Sequence, residues 1–153
     1  MRQAVLDSNA VDPFIDLPGA QDVVREAVRG GRLELLFTHV NIDELAAVPD
    51  VDRRSRLLLA LVDFGRLVPT GALAVGFSRL GYARLMGDVD VVEALRSGNV
   101  DHTRDALIAA TAVYEQCALV TNEKRLTARA RDRGIEVITS LELLGELGFR
   151  RVA

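Results

Sequence analysis

Short apolar runs alternate along the chain with longer stretches whose apolar residues recur every three to four positions. Gln3–Leu6 is the first short run; it stops at Asp7, and Asp7-Ser8-Asn9 followed by Asp12-Pro13 reads as a turn-like loop after a first strand. From Ala20 to Arg29, the residues Val23, Val24, Ala27 and Val28 fall at helical spacing until Gly30-Gly31 breaks the pattern. Leu33–Phe37 predicts a second strand, after which Thr38 or Asn41 caps a helix running through Ile42, Leu45 and Ala46 to Pro49. Asp50 or Asp52 caps the next helix, with Leu57, Leu58, Leu61 and Val62 expected to face the core, and Arg66–Val68 predicts a third strand. Between Gly71 and Gly98 repeated glycines interrupt helical periodicity, and short helices are expected there. His102–Gln116 is the clearest helix: Ala106–Ala110, Ala112 and Val113 leave it so little polar surface that it belongs in the middle of the molecule. Ala118–Val120 then predicts a fourth strand, Lys124–Arg133 an exposed Arg-rich helix ended by Gly134, Ile135–Ile138 a fifth strand, and Leu141–Leu147 a closing helix. Strands alternating with helices predict an α/β fold whose parallel sheet is covered on both faces.

Composition narrows the class. A chain of 153 residues with 49% hydrophobic and 27% charged residues is expected to form one domain, 1–153. Its formal net charge of −3 excludes a strongly basic module that coats nucleic acid, so any contact with RNA or DNA must be local. Cys117 is the single cysteine, which excludes an intramolecular disulfide and a cysteine-based zinc site and points to a reducing compartment. Apolar runs such as Leu57–Val62 are far too short to span a bilayer, and Met1–Asn9 lacks the apolar core of a signal peptide, so a cytoplasmic protein without a membrane partner is expected. Lys124 is the only lysine among nineteen Lys and Arg. That skew fits either genome composition or a use of guanidinium groups for phosphate.

Candidate chemistry gathers where parallel α/β sheets place it, beyond the carboxyl ends of the strands. Asp7 follows strand one, Glu44 lies early in the helix after strand two, Asp105 sits in the first turns of the apolar central helix, and Glu123 follows strand four. Asp101, four residues before Asp105, shares its helical face if the helix begins early enough. Each acid also has a local explanation: an Asx-turn for Asp7, a capping box with Asn41 for Glu44, an N-cap for Asp101, and helix dipoles for Asp105 and Glu123. Their convergence on one sheet edge has a consequence those explanations lack, because clustered carboxylates raise one another's pKa unless a cation neutralises them. Hard oxygen ligands suit Mg²⁺ or Mn²⁺.

The segments Val5-Leu6-Asp7-Ser8-Asn9, Thr38-His39-Val40-Asn41-Ile42-Asp43-Glu44-Leu45, Asp105-Ala106-Leu107-Ile108-Ala109-Ala110-Thr111-Ala112 and Leu119-Val120-Thr121-Asn122-Glu123 together resemble, in order, the PIN-domain nuclease family, which includes the VapC-type ribonuclease toxins. The Asp-Ala-Leu-Ile-Ala-Ala-Thr-Ala block is the most specific of them. The resemblance implies a three-layer α/β/α domain with a five-stranded parallel sheet and Mg²⁺- or Mn²⁺-dependent hydrolysis of RNA phosphodiesters. It carries the acidic quartet onto Asp7, Glu44, Asp105 and Glu123, with Asn9 and Thr121 at its supporting polar positions; Asp101 joins them as a supporting candidate by its spacing from Asp105. It also implies a homodimer and a toxin held inactive by an antitoxin, or, where turnover has been lost, an RNA-binding or protein-interaction module. The chain departs from the pattern at Glu123, where the family more often has Asp, and in the stretch 49–98.

Other polar residues carry less. Arg104, Arg125 and Arg129 are candidate phosphate contacts or simply solvated helix faces, while His39 and His102 read best as helix-start residues rather than general acids. Two phosphoacceptor alternatives fail on sequence. A dehalogenase-like site wants a second Asp where this chain has Asn9, and a receiver domain wants an acceptor Asp where it has Pro69-Thr70.

Overall fold

The structure, a computed structural model, describes residues 1–70 and 103–151. The expected short helices of 71–98, Asp101 and His102 lie outside the described residues. Five strands, β1 (Arg2–Leu6), β2 (Leu33–Phe37), β3 (Gly65–Leu67), β4 (Ala118–Val120) and β5 (Val137–Ile138), form one sheet in the order β3-β2-β1-β4-β5, and every pairing is parallel. Along each strand the side chains alternate between two cores, as a pleated backbone requires. Ala4 and Leu6 of β1, Leu33, Leu35 and Phe37 of β2 and Ala118 and Val120 of β4 face one core; Val5, Leu36 and Leu119 face the other.

Helices cover both faces. On the first lie α1 (Asp12–Asp16), α2 (Ala20–Arg29), α4 (Val51–Phe64) and α7 (Ser140–Glu146), contributing among others Phe14, Val24, Leu57, Leu61, Phe64 and Leu143; the Phe14 and Phe64 rings meet edge-on at 5.7 Å. On the second lie α5 (Thr103–Glu115) and α6 (Lys124–Asp132), while α3 (His39–Ala46) bridges the layers, with Val40 in the second core and Leu45 in the first. In α5 the run Ala106–Ala112 is wholly buried, and its alanines let the helix lie close to β1 and β4. At Gly65 a side chain is excluded, because a Cβ there would stand 2.6 Å from the Phe37 ring and 2.7 Å from the Leu61 carbonyl oxygen.

Two expectations differ from the structure. The segment after Asp7 is more than a loop: Ser8–Ala10 form a 3₁₀ turn and Asp12–Asp16 the helix α1, with Pro13 in its first turn, where the missing N–H and fixed φ favour a helix start. Val62 is 70% exposed instead of facing the core, as are Val51 and Leu59 in large part; the buried positions of α4 are Leu57, Ala60, Leu61 and Phe64. Six consecutive apolar residues, Leu57–Val62, blur the phase of that helix, so spacing alone does not fix which side faces inward. Strand and helix bounds elsewhere move by one or two residues, the usual variation at frayed ends.

Candidate metal centre

The sheet order puts the site at a topological switch point. From β1 the chain moves outward to β2 and β3, and it returns across the sheet to β4 and β5, so a crevice opens where β1 and β4 end side by side. The Asp7 N–H continues the ladder to the Val120 carbonyl at 2.9 Å, which brings Asp7 and Thr121 together. Alternation places the Asp7 side chain on the same side as Val5, the side that α5 covers. Asp105 lies in the first turn of that helix.

Asp7 is 3% exposed. Its Oδ1 accepts the Ser8 N–H at 2.8 Å and its Oδ2 accepts the Thr121 hydroxyl at 2.6 Å, so the Asx-turn explanation is true of one oxygen and incomplete for the other. Lone pairs remain on both oxygens for a further partner. Glu44 does not cap its helix. The capping box of α3 joins Thr38 to Asn41, leaving Glu44 to accept the Ser8 hydroxyl at 3.0 Å. Asn41 ties this corner together: its amide nitrogen donates to the Leu6 carbonyl oxygen at 2.9 Å and to the Ser8 hydroxyl at 3.2 Å, while its oxygen accepts the Thr38 N–H at 2.8 Å.

Asp7, Glu44 and Asp105 each bring a carboxylate oxygen to within 4.8 Å of the others. Glu123 lies outside that group of three and hydrogen-bonds the Asp105 carboxyl from the β4 side. Thus one buried and two half-buried acids from three separate elements meet, with a fourth alongside. The electrostatic cost is visible in each. Burial, then the charges of Asp7 and Glu123, the hydrogen bond with Glu123 and the charge of Glu44, push Asp105 up to about 8. Burial raises Asp7, with Glu123 adding to the rise and the Thr121 and Ser8 hydrogen bonds opposing it. Burial and then Asp7 raise Glu44, against the Ser8 hydrogen bond and the Arg104 charge. Three oxygens at this spacing are a hard donor set for a small divalent cation, whose charge removes the mutual repulsion.

The supporting residues divide. Thr121 is fully buried and holds both Asp7 and, through its oxygen, the Glu123 N–H at 3.1 Å. Asn9 is exposed and turns to Asn122, accepting its N–H at 3.2 Å, while the Asn122 side chain donates to the Asn9 carbonyl and to Ser140. This clasp fixes the loop after β1 against the loop after β4 and the start of α7. His39 is the buried first residue of α3. Sequence reasoning gives Asn41 only a capping role and gives Ser8 and Asn122 none; the signal for Ser8 and Asn41 is their place within the motifs that carry Asp7 and Glu44, whereas Asn122 has none beyond adjacency to Glu123.

No protein-family model and no curated protein matches this chain. Solved structures do. PAE2754 from Pyrobaculum aerophilum superposes with a TM-score of 0.62 at 19% identity, covering 96% of this chain and 97% of that one. VapBC2 from Rickettsia felis, bound to a DNA fragment from their promoter, gives 0.56 at 11% identity over 90% and 98%. A PilT N-terminus domain protein, SSO1118 from Sulfolobus solfataricus, gives 0.51 at 14% identity over 99% and 98%. The chain therefore has the VapC-like fold of the PilT N-terminus, or PIN, domain: three layers, α/β/α, around a five-stranded parallel sheet.

Proposed function

We propose that this protein is an Mg²⁺- or Mn²⁺-dependent endoribonuclease, the toxin of a toxin–antitoxin pair, acting as a single domain and as a homodimer in the cytoplasm. The observation that carries the nuclease reading is the approach of the Asp7, Glu44 and Asp105 carboxylates to within 4.8 Å at the switch point of the sheet. The toxin assignment rests on the motif resemblance and on the likeness of fold to VapBC2. Among the described residues no helix is long and apolar enough to cross a membrane.

Asp7, Glu44 and Asp105 would hold the cation. Such an ion supplies positive charge that acidifies water and screens charge building on the phosphate oxygens. Hydrolysis joins the water oxygen to phosphorus, breaks the bond to the leaving ribose oxygen and delivers a proton to that oxygen. The chain's contribution is to fix the acids before substrate arrives. Thr121 and the Ser8 N–H lock the Asp7 rotamer, the Ser8 hydroxyl aims Glu44, and Asn41 aims Ser8. Glu123, beside Asp105, would complete the quartet, binding the cation directly or through water.

Cleavage of a mixed single-stranded RNA pool by the purified protein with Mn²⁺ or Mg²⁺, run against EDTA and an Asp7→Asn variant, tests this. Loss of cutting in both controls is expected. Glu123, set apart from the group of three, favours one second reading, a PIN-like module that has lost turnover. That reading predicts no cutting and no rise in melting temperature with millimolar Mn²⁺, whereas a working centre is stabilised by mass action.

A further inference from the structure

We infer that α6 is the track that holds the substrate strand beside the acids, with Lys124 and Arg125 contacting phosphates of single-stranded RNA; this rests on the nuclease reading above. The helix begins directly after Glu123, so its first turn stands at the rim of the crevice. It buries Leu126 and Ala130, exposes Lys124 and Arg125 at its start, and carries a half-buried Arg129 one turn on, with Arg133 at its C-cap.

Two features set the start of that helix apart from ordinary surface. Its one neighbouring acid is the N-cap Glu123, which belongs to the crevice, so Lys124 and Arg125 stand at the positive end of a helix dipole that favours the opposite sign. Among the described residues neither Lys124 nor Arg125 forms an ion pair, so in a molecule of net charge −3 the first turn is a cationic edge beside the acids. A polyanion whose scissile phosphate sits at the acids answers both features.

The test is fluorescence anisotropy with a short labelled single-stranded RNA in EDTA, which prevents cutting, between about 50 and 200 mM salt. The wild type is compared with K124E/R125E and with R29E/R32E, which makes the same charge change at exposed positions at the amino end of the sheet. Each lost phosphate contact should flatten the slope of log K against log salt by about 0.7, so K124E/R125E should lose about 1.4 or more and the control pair should keep the wild-type slope. Equal slopes in all three proteins, equal losses in both double variants, or no binding by the wild type would each overturn the inference. The Mn²⁺-induced rise in melting temperature, measured on the same proteins, judges the metal centre separately, since K124E/R125E leaves Asp7, Glu44 and Asp105 in place.

Discussion

The two ends of the sheet both carry carboxylates, and they treat them in opposite ways. At the amino end, Glu136 and Glu146 hold Arg2, and Glu34 holds Arg66 with help from Gln3; these hydrogen bonds depress Glu136 and Glu34 below the usual carboxylate range. At the carboxyl end, no ion pair within salt-bridge distance reaches Asp7, Glu44 or Asp105 among the described residues, and all three are raised. The molecule also has a cleft of about 580 Å³ at the amino end, lined by Arg2, Gln3, Gln116, Cys117 and Arg133. Its size is enough for a small ligand. Its chemistry argues otherwise, because its acids are already paired and burial pushes the Cys117 thiol up to about 11, leaving it protonated and unreactive. What marks a site is an unresolved electrostatic cost rather than volume.

The strongest way to break this comparison is to remove the charge that the carboxyl end leaves uncompensated. Asp7→Asn should lower metal-dependent cleavage by about a thousandfold, if the lost contact supplies several kcal/mol to the transition state. The same change should raise the melting temperature in EDTA, because it removes a buried like charge from beside Glu44 and Asp105. A matched change at the amino end, Glu136→Gln, should leave cleavage alone and lower stability slightly, since an exposed pair contributes little. An Asp7→Asn protein that melts lower than wild type in EDTA would show the acids to be structurally satisfied as they stand.

The pH dependence of stability sharpens the contrast. A carboxyl whose folded pKa is raised binds its proton more tightly in the folded state, so its contribution is present below the unfolded value near 4 and is lost as pH rises through the folded value. Asp105, raised to about 8, should make the metal-free protein less stable between about pH 4 and pH 8, by on the order of 1–2 kcal/mol once solvent screening of a partly exposed group is allowed for. Glu136 and Glu34, both depressed, act in the opposite direction, losing stability as pH falls through the acid range. Saturating Mn²⁺ should flatten the upper window and leave the lower one unchanged. Urea melts at a series of pH values, with and without Mn²⁺, measure both.

A smaller effect is expected one bond away from the acids. Thr121→Val keeps the shape but removes the hydroxyl that donates to Asp7 at 2.6 Å. Loss of such an outer partner should weaken Mn²⁺ binding about 10–100-fold without unfolding the protein, which isothermal titration would read directly. Equal affinity in the two proteins would mean that the Ser8 N–H alone fixes Asp7.

How much of this was legible beforehand depended on whether a signal was local. The strands β2 and β4 and the helix α2 follow from apolar runs with Gly or Asp boundaries, and the sheet's parallel pairing follows from their alternation with helices. The four acids stand out in the sequence because Asp7 and Glu123 follow strands and Glu44 and Asp105 lie in helices near strand ends. Their distances do not, since the approach of Glu44 to Asp7 depends on Ser8 and Asn41 joining β1 to α3 across 35 residues of sequence. Asp12–Asp16 was missed because Pro and Asp signal turns and helix starts alike, and Val62 because an unbroken apolar run carries no phase.

The smallest predicted effect lies at the amino end, where the comparison turns from charge to backbone. α5 and α6 both end with a residue in the left-handed region, Gln116 at φ 55° and Gly134 at φ 77°. In each case the next residue's N–H folds back into the helix, Cys117 to the Ala112 carbonyl and Ile135 to the Ala130 carbonyl, both at 3.1 Å. Only Gly134 adopts that conformation without a Cβ clash, which costs other residues about 1–2 kcal/mol. Gln116→Gly relieves the clash but gives the unfolded chain more freedom, an opposing effect of about 0.5–1 kcal/mol, so the net gain should be about 0.5 kcal/mol. Gly134→Ala should cost about 1 kcal/mol by the reverse change. Chemical denaturation of both variants measures the pair, and neither should alter the Mn²⁺ response, because both helix ends lie at the opposite edge of the sheet from Asp7. A Gln116→Gly protein that loses stability would mean that the Gln116 side chain makes a contact at the amino-end cleft worth more than the strain it endures.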